Sequence, residues 1–204
     1  MEIDLEDVTL HYRIEGSGNP ALVMHGGLGA DHTAFVNTGF NKLSDGLELI
    51  YYDHRCNGRS SFPGLETLTH ANLAADAENL RIALGYNKIT VIGHSYGGFT
   101  GLEYALRFPS NLRRLILITT APANALKEAR KIAEIRAPHL MITVDKLLNG
   151  QCANDNEFAE LLTTLAPLYF KNYDLFKDEF DEAKKDMVPN AASFRHSFVE
   201  LLPK

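Results

Sequence analysis

Apolar and polar residues alternate at the start of the chain, with Ile3, Leu5, Val8, Leu10, Tyr12 and Ile14 on one side of the pattern and a polar break at Glu6-Asp7. A period of two with such a break predicts an antiparallel hairpin at the edge of a sheet. After the turn Gly16–Pro20 the pattern changes. Ala21–Met24, Leu47–Tyr52, Ile89–Ile92 and Arg114–Ile118 are short apolar runs, as expected of strands covered on both faces. Between them, Leu73, Ala77, Leu80 and Leu84 recur at helical spacing within 68–84, and Gly85 closes that helix. A second helix is predicted over 98–108, stopped by Pro109. Strand and helix alternating over 21–120 specify an α/β fold with a mostly parallel sheet flanked by helices.

Beyond Pro122 the texture is different. Residues 124–136, 154–166, 172–186 and 190–202 read as helices, broken at Pro167 and Pro189, and Leu140–Val144 is ambiguous between strand and helix. The expected organisation is a core over residues 1–122 and a helical appendage over 123–204. Its aromatics (Phe158, Tyr169, Phe170, Tyr173, Phe176, Phe180, Phe194, Phe198) are assigned to the appendage's own packing ahead of a pocket lining.

Composition removes several classes of function. A net charge of −6 without a basic, aromatic-interleaved cluster argues against nucleic acid and anionic membrane as partners. No apolar run reaches the length of a membrane span, and the acidic stretch Met1–Asp7 has no signal-peptide character. Cys56 and Cys152 are far apart and read as free thiols of a cytoplasmic protein. The eight histidines include no H-x-x-H or H-E-x-x-H spacing, so neither a metal nor another cofactor is expected.

Chemistry concentrates at three strand ends. Gly93, Ser95 and Gly97 have the G-x-S-x-G spacing, in which a strained strand-to-helix turn lifts a serine hydroxyl above a sheet and flanking side chains would clash. The following helix directs free N–H groups at that serine. His25-Gly26-Gly27-Leu28-Gly29 follows a buried strand, and its glycines let backbone N–H groups turn inward. Asp53–Ser60 forms a polar turn in which Asp53 and Arg55 are expected to bond turn backbone or each other. All three lie at the carboxyl ends of strands, where open α/β sheets bind ligands.

Taken in order, the hairpin, the strand–HGG loop, the strand–DHRxxGRS turn, the GHSYGG elbow and the helical insert resemble the α/β-hydrolase fold. The chain is most similar to its serine members related to proline iminopeptidases and small esterases. The likeness covers residues 1–120 closely and the rest in kind, as a helical cap. It implies Ser95 as nucleophile, the Gly27 and Tyr96 backbone N–H groups as oxyanion hole, and His25 and Gly26 as shaping that loop. The implied substrate is a small ester or peptide, cleaved through an acyl-serine intermediate. Proline iminopeptidases typically carry tryptophan after the serine, where this chain has Tyr96 and contains no tryptophan.

A serine nucleophile needs a base oriented by an acid, and in this fold both follow it in the chain. Only His139 and His196 follow Ser95, neither in the glycine–histidine context of the family's base, and Thr119–Pro122 offers no carboxylate. The expectation is therefore an N-terminal part of a hydrolase, with its last strands, acid and base beyond Lys204. Such a chain would expose a sheet edge and self-associate through it. The alternatives are that His196 or, less favourably, His139 acts as an unusual base with one of Asp155, Asp174, Asp178, Asp181 or Asp186, or that the chain is a non-catalytic hydrolase-like fold that binds a small molecule or partner.

Overall fold

A computed structural model describes residues 1–36, 38–123 and 125–202. Residue 124, the first of a predicted helix, and residues 203–204 of the appendage lie outside the described residues.

The predicted hairpin forms from β1 (Glu2–Asp4) and β2 (Thr9–Glu15), with Ile3 opposite Leu10. Strands β3 (Asn19–Met24), β4 (Leu47–Tyr52), β5 (Ile89–His94) and β6 (Leu112–Ile118) complete a six-stranded sheet of order β1-β2-β4-β3-β5-β6. The β3, β4, β5 and β6 contacts are parallel, and β2 runs antiparallel to β4. Pleating sends successive residues of β3 to opposite faces. Leu22 and Met24 join a cluster with Ala74, Ala77, Leu80 and Tyr104 of the helices, while Ala21 and Val23 pack with Phe35, Val36 and Tyr51. Both faces of the sheet centre are dry, which is why its strands read as continuous apolar runs. Strand β6 differs: it lies at the edge of the sheet, and Ile116 and Leu117 are about 40% exposed.

Helix α1 (His70–Ala83) begins where the Thr69 side chain accepts the Asn72 N–H, and α2 (Tyr96–Arg107) follows β5 after the single residue Ser95. Glycine is a poor helix former, yet α2 carries three. A Cβ on Gly98 would enter the Thr120 side chain, and one on Gly101 would sit 3.2 Å from Leu115. The glycines let α2 lie directly on the sheet.

The region after Pro122 is helical, as its pattern predicts: α3 (Leu126–Arg136), α4 (Met141–Leu148), α5 (Asp155–Tyr169), α6 (Tyr173–Lys185) and α7 (Ala191–His196), which continues as a π-helical turn over Ser197–Leu201. One open reading is settled and one expectation changes. Leu140–Val144 is no strand, since Met141 opens α4. Pro167 does not end α5, which runs on to Tyr169. A proline in the last turn removes one intrahelical bond rather than a run of them. These helices dock on the loops above the sheet. Asp31 accepts the Val188 N–H at 2.8 Å, Gly29 O accepts Asn190 N–H at 2.8 Å, and Ser193 Oγ donates to Cys56 O at 2.6 Å.

Candidate active site

Ser95 is the sole residue between β5 and α2, with φ 51° and ψ −117°. This is left-handed backbone, which a non-glycine residue occupies only when its surroundings over-determine it. The surroundings do so here. A Cβ on Gly93 would lie 2.5 Å from Gly97 O, and one on Gly97 would overlap Met24 O and crowd His25 O. The Ser95 N–H donates to Ile118 O at 3.0 Å, tying the turn to the end of β6. The reason for glycine on both sides of the serine is thus met in full: the turn is packed against β3 with no room for a side chain.

The glycine loop after β3 lies against this turn. A Cβ on Gly26 would sit 2.9 Å from Ser95 Cβ and 2.8 Å from His94 Nδ1, so only glycine lets the loop approach the serine. Gly27, at φ 45°, has open space where a Cβ would be. Tyr96 opens α2, so its N–H meets no intrahelical carbonyl. Gly26, Gly27, His94 and Ser95 line one cavity of about 360 Å³. Thr119, at φ 45°, turns the chain away at the end of β6, and the Thr120 Oγ1 beside it is buried without a partner among the described residues.

Beneath the loop lie two buried imidazoles, His25 and His54, with the half-buried His94 near them. His25 and His54 have ring centroids 4.3 Å apart, and the His54 N–H donates to His25 Nε2 at 3.1 Å. His25 therefore carries its proton on Nδ1 and donates it to Gly26 O at 3.0 Å. Burial lowers the pKa of His25, with the charge of Asp53 acting in the opposite sense. Burial, then the charge of His25, holds His54 well below the ordinary histidine value and lowers His94 as well.

The polar turn after β4 meets its expectation in part, since Asp53 accepts the backbone N–H of Arg59 within the turn at 2.9 Å. Asp53 and Arg55 do not bond each other. Burial alone would raise the Asp53 pKa, but the hydrogen bond from His32 Nδ1 at 2.6 Å, the nearby imidazoles and the Arg59 N–H together lower it. Arg55 forms a two-pronged pair with Asp76 of α1 at 2.7 and 2.6 Å and also reaches Asp7 in the hairpin turn. These are scaffold bonds: they fix the turns between strands. His32 was not singled out in the sequence because its partner Asp53 lies 21 residues away.

Of the two later histidines, His196 ends α7 with Nε2 at 3.2 Å from Leu68 O, and His139 lies in a short turn before α4; neither lines the Ser95 cavity. The aromatics of the appendage divide. Phe158, Phe194 and Phe198 form its own core with Cys152 and Leu161. Tyr169, Phe170, Phe176 and Phe180 line the Ser95 cavity instead, with Leu162, Met187, Glu179 and Lys184. Among the described residues no cluster of three or more His, Cys, Asp or Glu could hold a metal ion, and no helix is long and apolar enough to cross a membrane.

A mostly parallel sheet with a glycine-flanked serine at a strand end defines a class, and the sequence profile of the alpha/beta hydrolase fold matches residues 20–145. The chain belongs to that family. It is 27% identical over 180 residues to a proline iminopeptidase of Pestalotiopsis fici, covering 84% of this chain and 64% of that protein. It is 34% identical over 131 residues to a proline iminopeptidase of Saccharolobus solfataricus, covering 60% of this chain and 41% of that one. The chain thus spans less than two-thirds of the length of either relative. Among solved structures it resembles an epoxide hydrolase from Bacillus megaterium (TM-score 0.71, 22% identity, 97% of this chain and 70% of that one). It also resembles an esterase from Exiguobacterium antarcticum (TM-score 0.68, 19% identity, 95% and 69%). At these identities the structural likeness speaks to the fold.

Proposed function

We propose that the protein is a serine hydrolase that cleaves a small ester or amide through an acyl intermediate on Ser95. The observation that carries this reading is the strained backbone of Ser95, held at the mouth of a cavity by glycines that leave no alternative packing. In this reading Ser95 Oγ attacks the substrate carbonyl, and the oxygen that becomes negative is met by the N–H groups of Gly27 and Tyr96. The Gly26–Gly27 peptide is trans, so a Gly26 carbonyl turned to His25 leaves the Gly27 N–H facing away from that ring. His25 and Gly26 then shape the loop without touching substrate. The N-terminus of α2 adds a favourable dipole for the same charge.

The base and its acid are, in this proposal, not drawn from the described residues. His196 is spent on Leu68 O, and His94 is the one imidazole among those lining the cavity, held neutral beside Ser95 in sequence. Residues 1–204 by themselves are then expected to turn over p-nitrophenyl acetate only at the residual rate that binding and an oxyanion site supply. Rapid turnover by this chain that vanishes in Ser95→Ala would show that a base lies within it, with His196→Asn as the next variant. That same geometry supports the second reading, a hydrolase-like binding protein. Hydrolysis by the intact protein, abolished in Ser95→Ala, separates the two.

A further inference from the structure

The cavity above Ser95 has a far wall that the bond-breaking chemistry does not require. Tyr169 closes α5, Phe170 follows it, and Phe176 and Phe180 project from α6, with Leu162 and Met187 between them. The rings form one cluster: Phe170 stacks on Phe176 at 5.9 Å and meets Phe180 edge-on at 6.0 Å. At about 360 Å³ the space is at the small end of ligand pockets.

Three charged side chains also reach this cavity: Asp31, Glu179 and Lys184. Asp31 is fully employed, accepting from the Thr33 N–H and hydroxyl, the Val188 N–H and Arg59. Glu179 lies exposed on α6, where solvent screens it. Lys184 donates to Thr163 Oγ1 at 2.8 Å, lies 3.8 Å from Asp181 Oδ1, outside the cavity lining, and stands 5.6 Å over the Phe180 ring. An aromatic wall can hold an ammonium group over a ring face, but here a lysine already occupies that face, and a second cation would meet like charge.

We propose that this cavity selects an uncharged ester or amide whose acyl group is a compact aryl or alkyl residue, and that it discriminates against a peptide with a free, charged amino terminus. The inference rests on the Ser95 reading above and narrows its substrate class. It sets the chain apart from what the names of its iminopeptidase relatives suggest. A buried cation needs a desolvated, unspent carboxylate. The wall offers rings, an aliphatic floor, a lysine and, in Glu179, a carboxylate that is exposed rather than desolvated.

Binding rather than turnover tests this, so that a missing base does not obscure the result. Isothermal titration of the chain with 4-phenylbutan-2-one, a neutral ketone that cannot be hydrolysed, is compared with L-prolinamide, a cation at pH 7. The ketone is expected to bind saturably, at one site, at least tenfold more tightly than L-prolinamide. Phe180→Ala should weaken it about fivefold by removing one apolar ring face. Phe176→Ala, a half-exposed position, serves as the second variant should the first misfold. Asp178→Asn, exposed on α6 and outside the cavity lining, should leave ketone affinity unchanged. Binding of L-prolinamide as tight as that of the ketone, or no saturable ketone binding, overturns the inference. Labelling of the intact protein by a fluorophosphonate at Ser95 reports separately on the nucleophile. Labelling without ketone selectivity overturns the substrate class alone, and ketone selectivity without labelling overturns the nucleophile alone.

Discussion

The two walls of the Ser95 cavity are built on opposite principles. The sheet-side wall is backbone. Gly26, Gly93 and Gly97 each lie so close to a neighbouring segment that no Cβ fits, and the sheet beneath is buried on both faces. The far wall is side chain, carried largely by α6, a helix with no buried residue of its own. One wall fixes where an atom sits, because backbone packed on backbone has no room to shift. The other offers apolar area that can rearrange at little cost. A hydrolase needs the first property to hold a nucleophile and oxyanion donors, and the second to accept a substrate. Precision sits in the core and adaptability in the appendage.

Substitutions should separate the walls by the size of their effect on stability. The largest loss is expected on the sheet side. Gly97→Ala forces a Cβ into Met24 O, backbone that cannot move without shifting β3. Overpacking of this kind costs about 3 kcal/mol, read as a fall in the urea midpoint.

A smaller effect is expected from acid. The folded pKa values of His25, His54 and His94 lie below the ordinary histidine value. Below about pH 6.5 the unfolded chain therefore binds more protons than the folded one, and stability falls as pH falls through that range. The lowered pKa of Asp53 adds a further loss at lower pH, beginning below about pH 4, where the unfolded carboxylate protonates first. The ring nitrogens of His54 have no partner among the described residues, so His54→Phe should flatten the slope between pH 7 and pH 5. Thermal melts across that range check it; an unchanged slope would mean that His54 does not contribute.

The smallest effect is expected on the far wall. Phe176 is 43% exposed, and Phe176→Ala should cost no more than about 0.5–1 kcal/mol, within the range of surface changes, while altering ligand affinity. A loss as large as that of Gly97→Ala would erase the contrast between the walls.

The same contrast explains what the sequence made legible. The sheet-side wall depends on local spacing: glycines at fixed offsets around Ser95, an HGG loop after an apolar run, and strand and helix periods that do not overlap. Each follows from a few adjacent residues. The far wall depends on which aromatics of the appendage face inward. Phe158 and Phe194 pack within the appendage, while Phe176 and Phe180 face the cavity, and hydrophobicity is the same for both pairs. The choice is made by how the turn that follows α6 is tied to Asp31 and Arg59, through Val188 and Asp186, contacts more than a hundred residues apart in the chain. His32–Asp53 and Arg55–Asp76 are not visible in the sequence for the same reason, since each joins residues 21 apart in the chain. Pro167 misled in a different way: its helix-breaking character is real but acts on the last turn of α5 only.

In the proposed reading the core positions Ser95 to attack a carbonyl. Its most direct test is peptide mapping of the intact protein after treatment with a fluorophosphonate probe. The account predicts one stoichiometric adduct, on Ser95, absent from Ser95→Ala. An adduct on another serine, or a folded intact protein that takes none, would contradict it.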